Sequence, residues 1–474
     1  MTKHYPLLIA GEKHTNSDTV EIRSPFNDEV VGVTYYASQN QIASAIASAS
    51  ESFSQMRKLP AYRRAEILLN AAAEIRTRQE EIAKLITLEA GKPIKAARIE
   101  ASRAANTLTL AAEESKRLTG EYLPLDLDSA SQGRSAIVKR FPIGTVSAIT
   151  PFNFPLNLVV HKLAPAMAVG NPVVLKPAPQ TPLTALTLGE VLLHAGWPKE
   201  ALNIVFCRNE DALPLVVDPR IKMLSFTGSA AVGWQLKKLA SDKRVVLELG
   251  GNAGVAVHSD ADIDVAVSRS VVGGFGYSGQ VCISVQRIYV HQPIYQEFTT
   301  KFLNSVKSLK LGDPLDENVD LGPMINEREA SRTEGWVTEA CQHGAKLLCG
   351  GKRQGTLFEP TVLTNVDPEM KVSCQEAFAP IVTISPYEDF DQALELIDNS
   401  NYGLQAGIFT RDIHKIFDAY EKLNVGGVIV GDIPTYRAEN MPYGGVKQSG
   451  FGREGIRYSM EEMTELKTLV LNLT

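Results

Sequence analysis

No stretch of the sequence has the length and apolarity of a membrane span, since no apolar run approaches the roughly 18–20 residues that cross a bilayer. There is no cluster of basic residues, and the net charge is −6, which argues against nucleic acid as a partner. The N-terminus turns polar after a few apolar residues and lacks the pattern of a signal peptide. We therefore expect a cytoplasmic protein without membrane or nucleic-acid partners.

Cysteine is scarce as well. The five cysteines are an odd number and include no C-x-x-C pair, which argues against both a disulfide framework and a zinc site. The sequence also lacks a G-x-G-x-x-G motif, an internal repeat and a low-complexity linker. We expect no bound metal, and a reducing environment fits these cysteines best.

Alternating strands and helices make up most of the chain. Its 474 residues, 44% of them hydrophobic and 22% charged, suffice for two or three globular domains. Helical spacing of apolar residues between Gln39 and Arg117 predicts helices. From Thr145 to Leu249, and again from about Val255 to Val430, short apolar runs alternate with helical segments. This rhythm predicts an α/β fold with doubly wound parallel sheets, which bind ligands at the carboxyl ends of their strands.

Two extended segments lie outside this rhythm. Tyr122–Phe141 consists of two extended arms around a polar turn, which predicts a β-hairpin. Thr464–Leu473 is a lone alternating strand at the end of the chain. Such a strand pairs with a sheet edge elsewhere, including one on another subunit.

The stretch from Val245 to Val290 holds two residues that packing alone does not explain. Glu248 interrupts an apolar run that stops at two glycines, and Cys282 follows a Gly-rich turn. A carboxylate at the end of a buried strand is either satisfied by a structural partner or holds a raised pKa for proton transfer. Taken alone, a structural acid and a core cysteine are at least as good an interpretation as a catalytic pair.

Three further positions are weaker signals on their own. Asn153 lies between two prolines in P-F-N-F-P, where its amide is either ordinary turn chemistry or a donor to an oxyanion. Lys176 ends a buried strand and is either a phosphate or ribose ligand or a solvated strand end. F-T-G-S-A-A-V-G, from residue 226 to 233, is a weak nucleotide-binding turn.

Together, these pieces form an ordered series of motifs. P-F-N-F-P is followed by L-K-P-A, F-T-G-S, L-E-L-G-G, G-Q-V-C, E-A-F-A-P and P-Y-G-G-V-K-Q-S-G-F-G-R-E-G, and 34 residues separate Glu248 from Cys282. In this order and spacing the chain resembles the NAD(P)-dependent aldehyde dehydrogenase superfamily over almost its whole length.

The resemblance implies a covalent mechanism. Cys282 would be the nucleophile, and the Asn153 amide together with the Cys282 backbone N–H would hold the oxyanion. Loss of hydride from the thiohemiacetal would leave a thioester, and Glu248 would activate the water that hydrolyses it. Relatives that transfer the acyl group to coenzyme A typically lack this glutamate, so its presence indicates the non-acylating type.

The resemblance also implies a cofactor site for NAD or NADP. In strictly NAD-dependent relatives, a glutamate that binds the adenosine 2′-hydroxyl often stands three residues after the lysine. Here that position is Pro179, which cannot repel a 2′-phosphate, so we expect both cofactors to be admissible. The implied cofactor contacts are Thr150, Pro151, Phe152, Lys176, Pro179, Gly228, Ser229, Val232, Glu376 and Phe378.

For the substrate, the resemblance places a polar and positively charged set of side chains along the tunnel. Such a pocket suits a short aldehyde that carries an anionic group or hydroxyls. Val281 stands where relatives that act on phosphates often carry arginine, which favours sulfonated, carboxylated or hydroxylated aldehydes such as lactaldehyde. The alternative is that the arginines pair with local carboxylates such as Glu100 or Glu439. The implied substrate residues are Arg103, Phe154, His161, Arg437 and Tyr443.

The implied architecture has a Rossmann-like cofactor-binding domain (1–121 and 142–250) and a catalytic domain (251–440). The oligomerisation flap and C-terminal tail comprise 122–141 and 441–474. A homo-oligomer, dimer or tetramer, is expected. Two other classes of protein are alternatives. A cysteine hydrolase would need a histidine partner, which no motif supplies. A catalytically silent structural member of the fold would be free to lose Cys282 or Glu248.

Overall fold

A computed structural model describes residues 2–472 of the chain. The N-terminal part begins with short strands, continues with four helices, of which α2, α3 and α4 pack together, and ends in the predicted hairpin. Its elements are β1 (Leu7–Ile9), β2 (Glu12–His14), β3 (Thr19–Arg23), β4 (Val30–Tyr35), α1 (Gln39–Met56), α2 (Ala61–Thr77), α3 (Gln79–Ala90), α4 (Ile94–Ser115), β5 (Glu121–Pro124) and β6 (Arg134–Pro142).

The next part alternates strands and helices as predicted. Its central helix, α5, is buried along its whole length and is apolar apart from Asn157, His161 and Lys162, as expected for a helix packed between a sheet and other helices. The elements are β7 (Thr145–Ile149), α5 (Asn157–Val169), β8 (Val173–Lys176), α6 (Pro182–His194), β9 (Leu202–Ile204), α7 (Pro214–Val217), β10 (Ile221–Thr227), α8 (Ala230–Leu239) and β11 (Arg244–Glu248).

The second alternating block follows. Its elements are β12 (Ala253–Val257), α9 (Ile263–Phe275), β13 (Val285–His291), α10 (Tyr295–Lys307), α11 (Glu327–Gln342), β14 (Lys346–Cys349), β15 (Arg353–Gln354), β16 (Leu357–Phe358), β17 (Thr361–Thr364), α12 (Lys371–Cys374), β18 (Ile381–Tyr387), α13 (Phe390–Asp398), β19 (Tyr402–Gly403), β20 (Gln405–Phe409), α14 (Ile413–Lys422) and β21 (Gly427–Val430). The chain ends with β22 (Val446–Lys447), β23 (Gly450–Phe451), α15 (Ile456–Glu462) and β24 (Thr464–Asn472).

Two large sheets organise the molecule and confirm the predicted fold class. In the first, five parallel strands run in the order β9-β8-β7-β10-β11, with β1 and β2 antiparallel at one edge and β23 antiparallel at the other. The second has the order β14-β17-β18-β13-β12-β20-β21, parallel except for β14. The apolar core of each sheet lies between its strands and the helices that cover them.

A third, three-stranded sheet corresponds to the predicted flap. β6 lies between β5 and β24, and the terminal strand pairs antiparallel with β6 from Thr464 to Asn472. Leu473, the last residue of the predicted strand, lies outside the described residues, as do Met1 and Thr474. The domain boundaries stay a prediction, and β23, from the predicted tail, contributes a strand to the first sheet.

The helices between residues 2 and 472 are all too short or too polar to span a bilayer.

Candidate active site

The candidate site lies where the two large sheets meet. Thr150, Lys176 and Glu248 stand at the carboxyl ends of β7, β8 and β11, which share one edge of the first sheet. Cys282 and Glu376 come shortly before β13 and β18, at the amino edge of the second sheet. A cavity of about 290 Å³ is lined from both sides, by Glu248 and Asn153 on one and by Cys282 and Glu376 on the other.

Glu248 is a buried carboxylic acid at the end of β11. It is the last residue of β11, which lies between β10 and β23, and it is 3% exposed. Neither carboxyl oxygen has a hydrogen-bond partner among the described residues. Burial raises the pKa of Glu248 well above its ordinary value, and the nearby charge of Glu454 raises it further. Among the described residues, the side chain therefore lacks the partner that a structural acid would have, and it lines the cavity.

The two glycines after Glu248 allow the opposite wall to approach. A Cβ on Gly250 would lie 2.0 Å from Glu376 Oε2, and one on Gly251 would lie 2.2 Å from the carbonyl oxygen of Cys282. Both positions therefore exclude any larger residue. The L-E-L-G-G motif brings Glu248 and Cys282 to one cavity because its glycines leave room for the cysteine loop.

Cys282 is held at the end of a loop with unusual backbone geometry. Tyr277 and Ser278 adopt positive φ values of 50° and 52°, and Gly279 follows with φ 68°. Conformations of this kind are costly for residues with side chains and are common at functional sites. The Cys282 sulfur lies 3.2 Å from the hydroxyl of Tyr443. Burial raises the pKa of the thiol to about 11, and the Tyr443 hydrogen bond works in the opposite direction.

Asn153 is oriented by the loop that carries the cysteine. Its side-chain Nδ2 donates to the carbonyl of Gln280 at 2.9 Å, and the residue is 3% exposed. An amide nitrogen has two N–H groups, so one remains for an oxygen in the cavity. This contact fixes the Asn153 amide against the segment that ends at Cys282.

A longer cleft continues from the cavity along the carboxyl edge of the first sheet. Its volume is about 510 Å³, and the two spaces share Pro151, Phe152, Gly228 and Ser229. The structure brings all ten predicted cofactor residues to these walls. Those of the cleft are Thr150, Pro151, Phe152, Lys176, Pro179, Gly228, Ser229 and Val232, and those of the inner cavity include Glu376 and Phe378.

The cleft offers polar groups that suit a nucleotide. The hydroxyls of Thr150 and Thr227 are buried and lack partners among the described residues. Lys176 is buried, its Nζ donates to Asn209 Oδ1 at 3.0 Å, and burial lowers its pKa. At the inner end, Glu376 accepts from the Gly251 N–H at 3.1 Å, and burial raises the pKa of Glu376 to about 7.

Four of the five predicted substrate residues meet in one charged network. Arg103 donates to Glu439 Oε1 at 3.0 and 2.7 Å, and His161 Nε2 lies 2.6 Å from Glu439 Oε2. The Nη2 of Arg437 lies 2.8 Å from His161 Nδ1, and the Arg437 guanidinium stacks 3.7 Å from the ring centre of Tyr443. The fifth residue, Phe154, instead packs against Lys92, whose Nζ is 3.6 Å from its ring centre.

Two residues of this network were missed by the sequence reading. Glu454 is 2% exposed, and it accepts from Lys162 at 3.1 Å and from Arg437 at 3.3 Å. Although burial opposes it, Lys162, His161 and Arg437 lower the pKa of Glu454 well below its ordinary value. The one available signal was Lys162, a charged residue in the middle of an apolar helix.

A second buried ion pair stands behind the Asn153 loop. Lys92 and Glu100 are in direct contact and each is 1% exposed. The other Glu100 oxygen accepts from the backbone N–H groups of Leu156 and Asn157 at 3.0 and 3.1 Å, so it caps the start of α5. Glu100 is therefore not a partner of Arg103, whereas Glu439 is.

Among residues 2–472, no group of three or more His, Cys, Asp or Glu side chains could hold a metal ion.

Comparison with known proteins gives one consistent result. The profile of the aldehyde dehydrogenase family matches residues 13–469. A 3-sulfolactaldehyde dehydrogenase of Priestia aryabhattai is 44% identical over 472 residues, which cover 99% of this chain and 98% of that protein.

Two solved structures are similar over nearly the whole chain. Aldehyde dehydrogenase 21 of Physcomitrella patens, in complex with the reaction product succinate, has a TM-score of 0.97 and 44% identity and covers 100% of this chain and 99% of its own. The glyceraldehyde-3-phosphate dehydrogenase GapN of Methanocaldococcus jannaschii, complexed with NADP, has a TM-score of 0.93 and 40% identity and covers 97% of this chain and 100% of its own.

Proposed function

The chain belongs to the aldehyde dehydrogenase family and is an NAD(P)-dependent oxidoreductase, and we propose that it oxidises a short anionic or hydroxylated aldehyde to its carboxylic acid through a thioester on Cys282. The observation that carries this proposal is the cavity that Cys282, Glu248, Asn153 and Glu376 line together. Both the nucleophile and the base are present, which favours an active enzyme over a silent structural member of the fold.

The first half of the reaction forms an acyl-enzyme. The Cys282 thiolate adds to the aldehyde carbon, and the free N–H of the Asn153 amide stabilises the oxyanion. The thiohemiacetal carbon then loses hydride and becomes a thioester. A nicotinamide cofactor, when bound, supplies the hydride acceptor for this step.

The second half releases the acid. Glu248 takes a proton from water, the resulting hydroxide attacks the thioester carbon, and collapse of the adduct regenerates the Cys282 sulfur. A carboxylate with a raised pKa suits this role because it accepts a proton readily near neutral pH. The presence of this base supports hydrolysis rather than acyl transfer to coenzyme A.

The cofactor would be held by the cleft at the carboxyl edge of the first sheet. The partnerless hydroxyls of Thr150 and Thr227, together with the buried Lys176, fit the ribose and phosphate groups of a dinucleotide. Pro179 lines the same cleft and places no carboxylate there, so both NAD and NADP are admissible. Glu376 would accept a hydrogen bond from the nicotinamide ribose.

For the substrate, the charge of this network supports an anionic group. Arg103, Arg437 and Lys162 bring three positive charges to the network, against the two carboxylates of Glu439 and Glu454. The relatives described above include a dehydrogenase named for sulfolactaldehyde and one bound to succinate, and both compounds carry an anionic group. We therefore favour a sulfonated or carboxylated short aldehyde.

One observation favours a second candidate. Both arginines already have carboxylate partners, Arg103 in Glu439 and Arg437 in Glu454, as the alternative interpretation of the sequence expected. An arginine neutralised in this way binds an anion less strongly. A lactaldehyde-type hydroxyaldehyde is therefore the second candidate.

The nucleophile is tested by Cys282→Ala. We expect the variant to lose aldehyde-dependent NAD(P)H formation while it keeps the wild-type melting temperature and still binds NADP, because only the sulfur is removed. Absorbance at 340 nm with a panel of short aldehydes and each cofactor measures this. Turnover at the wild-type level in Cys282→Ala would contradict the proposed covalent mechanism.

The substrate class is tested by 3-sulfolactaldehyde and lactaldehyde, which differ only by the sulfonate. If the arginines bind the anion, Arg103→Ala and Arg437→Ala should each lower the ratio of kcat/KM for the sulfonated aldehyde to that for lactaldehyde by about 10- to 150-fold, since one charge-assisted contact of about 1.5–3 kcal/mol is lost. Glu439→Gln is the matched control, and it should raise the preference for sulfolactaldehyde because it frees Arg103. An unchanged ratio in both arginine variants would favour the hydroxyaldehyde.

The flap supports a homo-oligomer, dimer or tetramer. Leu466, Leu469 and Val470 on β24 are more than half exposed, and apolar patches of this kind mark protein interfaces. A cytoplasmic location remains a prediction.

A further inference from the structure

Tyr443 is a buried residue whose hydroxyl contacts the sulfur of Cys282. It is 3% exposed, and its hydroxyl lies 3.2 Å from the sulfur of Cys282. Among residues 2–472, no other hydrogen-bond partner of this hydroxyl is found. A buried tyrosine hydroxyl normally has a hydrogen-bond partner, and here that partner is the nucleophile.

The backbone holds Tyr443 between the nucleophile and the base. Its N–H donates to the Glu454 carbonyl at 2.9 Å, and the Glu454 N–H donates back to the Tyr443 carbonyl at 2.6 Å. The next residue, Gly444, passes so close to Glu248 that an added Cβ would lie 2.8 Å from Oε1. The position of the hydroxyl is thus fixed by the same segment that borders both reactive groups.

The surroundings make a thiolate at Cys282 costly. Burial, together with the carboxyl groups of Glu376 and Glu248, raises the pKa of the thiol to about 11. The Tyr443 hydrogen bond and the charge of Arg437 act in the other direction. Burial also raises the pKa of Tyr443 well above its ordinary value, so the phenol keeps its proton and remains a donor.

Arg437 reinforces the donor. Its guanidinium carbon lies 3.7 Å from the ring centre of Tyr443. A cation over the ring face draws on its electron density and makes the O–H a stronger donor.

We propose that Tyr443 is a catalytic residue whose hydroxyl donates a hydrogen bond to the Cys282 thiolate and so raises the fraction of enzyme ready to attack the aldehyde. This role goes beyond lining the substrate tunnel, and it rests on the proposed function only in taking Cys282 as the nucleophile. No atom is transferred, because the tyrosine keeps its proton while the sulfur forms its bond to carbon.

The expected effect of Tyr443→Phe follows from thiol chemistry. A hydrogen bond to a charged group shifts a pKa by about one to two units, so the variant has about 10- to 100-fold less thiolate at neutral pH. The thiolate that remains is more basic and more nucleophilic, which returns about half of this loss on a logarithmic scale. Alkylation of Cys282 should therefore be about three- to tenfold slower below the pKa, with the bend of the pH profile moved to higher pH.

The experiment is alkylation of the full-length protein by iodoacetamide from pH 7 to 11, followed by mass spectrometry of the peptide that contains Cys282. The peptide readout separates Cys282 from the other four cysteines. Tyr387→Phe is the matched control, since it also removes a buried tyrosine hydroxyl, whose partners are His258 at 2.8 Å and the Val257 carbonyl at 3.3 Å rather than the thiol. The control should leave the Cys282 profile unchanged.

The outcomes separate the alternatives. A wild-type profile that bends as pH approaches 11, while that of Tyr443→Phe still rises without a bend at pH 11, supports the proposal. A rate lowered by one factor at every pH, with the bend in place, would show that the tyrosine only controls access and would overturn the proposal. Activity retained by Cys282→Ala would instead overturn the proposed function, and it would leave the alkylation result standing.

Discussion

Glu248 and Glu454 are two carboxylic acids at the same site, similarly removed from water, and their pKa values are shifted in opposite directions. They are 3% and 2% exposed. Glu248 has no hydrogen-bond partner among the described residues, and burial raises its pKa. Glu454 lies within 4 Å of Lys162, Arg437 and His161, and these groups lower its pKa despite burial.

The difference shows that burial does not decide the charge of a side chain; its partners do. Burial without a partner shifts a carboxyl group toward its acid form, whereas two cationic partners favour the ionised form. The two are also linked, because the fixed charge of Glu454 is one of the causes that raise the pKa of Glu248. Glu454 therefore helps to hold the pKa of Glu248 above its ordinary value, which suits a group that exchanges a proton.

The first test of this difference is the substitution Glu248→Gln. Removal of a general base typically lowers the rate by about 100- to 10,000-fold. Deacylation should stall, so a burst of about one NAD(P)H per site should precede slow turnover. Stopped-flow absorbance at 340 nm measures both phases. Single-phase slow kinetics would count against Glu248 as the deacylation base, provided that a thioester is absent from the quenched protein by mass spectrometry.

The second is Glu454→Gln, which should act on stability instead. Loss of one partner from a buried ion pair costs about 3–5 kcal/mol, because Lys162 is then left poorly compensated. The thermal midpoint should fall by several degrees. Glu66→Gln is the control, since its pair with Arg63 is about half exposed and worth at most about 1 kcal/mol. Equal midpoints for the two variants would show that the buried pair carries no special stability.

The sequence predicts the positions of Glu248 and Cys282 better than it predicts the ion pairs of Glu454. An apolar run that ends in Glu248 and two glycines is a local pattern, and so is the approach to Cys282. The two sheets follow from the alternation of strands and helices for the same reason. Local patterns of this kind are set by neighbours along the chain.

The ion pairs of Glu454 depend on contacts between residues far apart in the sequence, which no local pattern predicts. Lys162 and Glu454 are 292 residues apart in the sequence and meet only because α5 packs against the C-terminal segment. The strand Gly450–Phe451, which completes the first sheet, is too short to show periodicity. The sequence also could not predict whether Arg103 contacts a substrate or Glu439, because these two residues are far apart in the chain and meet only in the folded structure.

The last and smallest expected effect is the pH dependence of stability. The pKa of Glu248 is raised in the folded state, so its contribution to stability is greatest below the unfolded pKa and is lost as pH rises through the folded value. Glu248→Gln keeps a neutral side chain at every pH. It should therefore match the wild type near pH 4 and become the more stable protein as pH rises.

Glu454 should show the opposite slope. Its pKa is lowered in the folded state, so its contribution is present above the unfolded pKa and is lost as pH falls. The destabilisation in Glu454→Gln should thus be full at pH 7 and shrink in acid. Thermal midpoints of the wild type and both variants between pH 4 and 9 test this, since titrating groups that do not interact with either carboxyl group cancel in the differences. If the midpoint differences of Glu248→Gln and Glu454→Gln from the wild type changed with pH in the same direction, the charged partners would not explain the different pKa shifts of these two carboxyl groups.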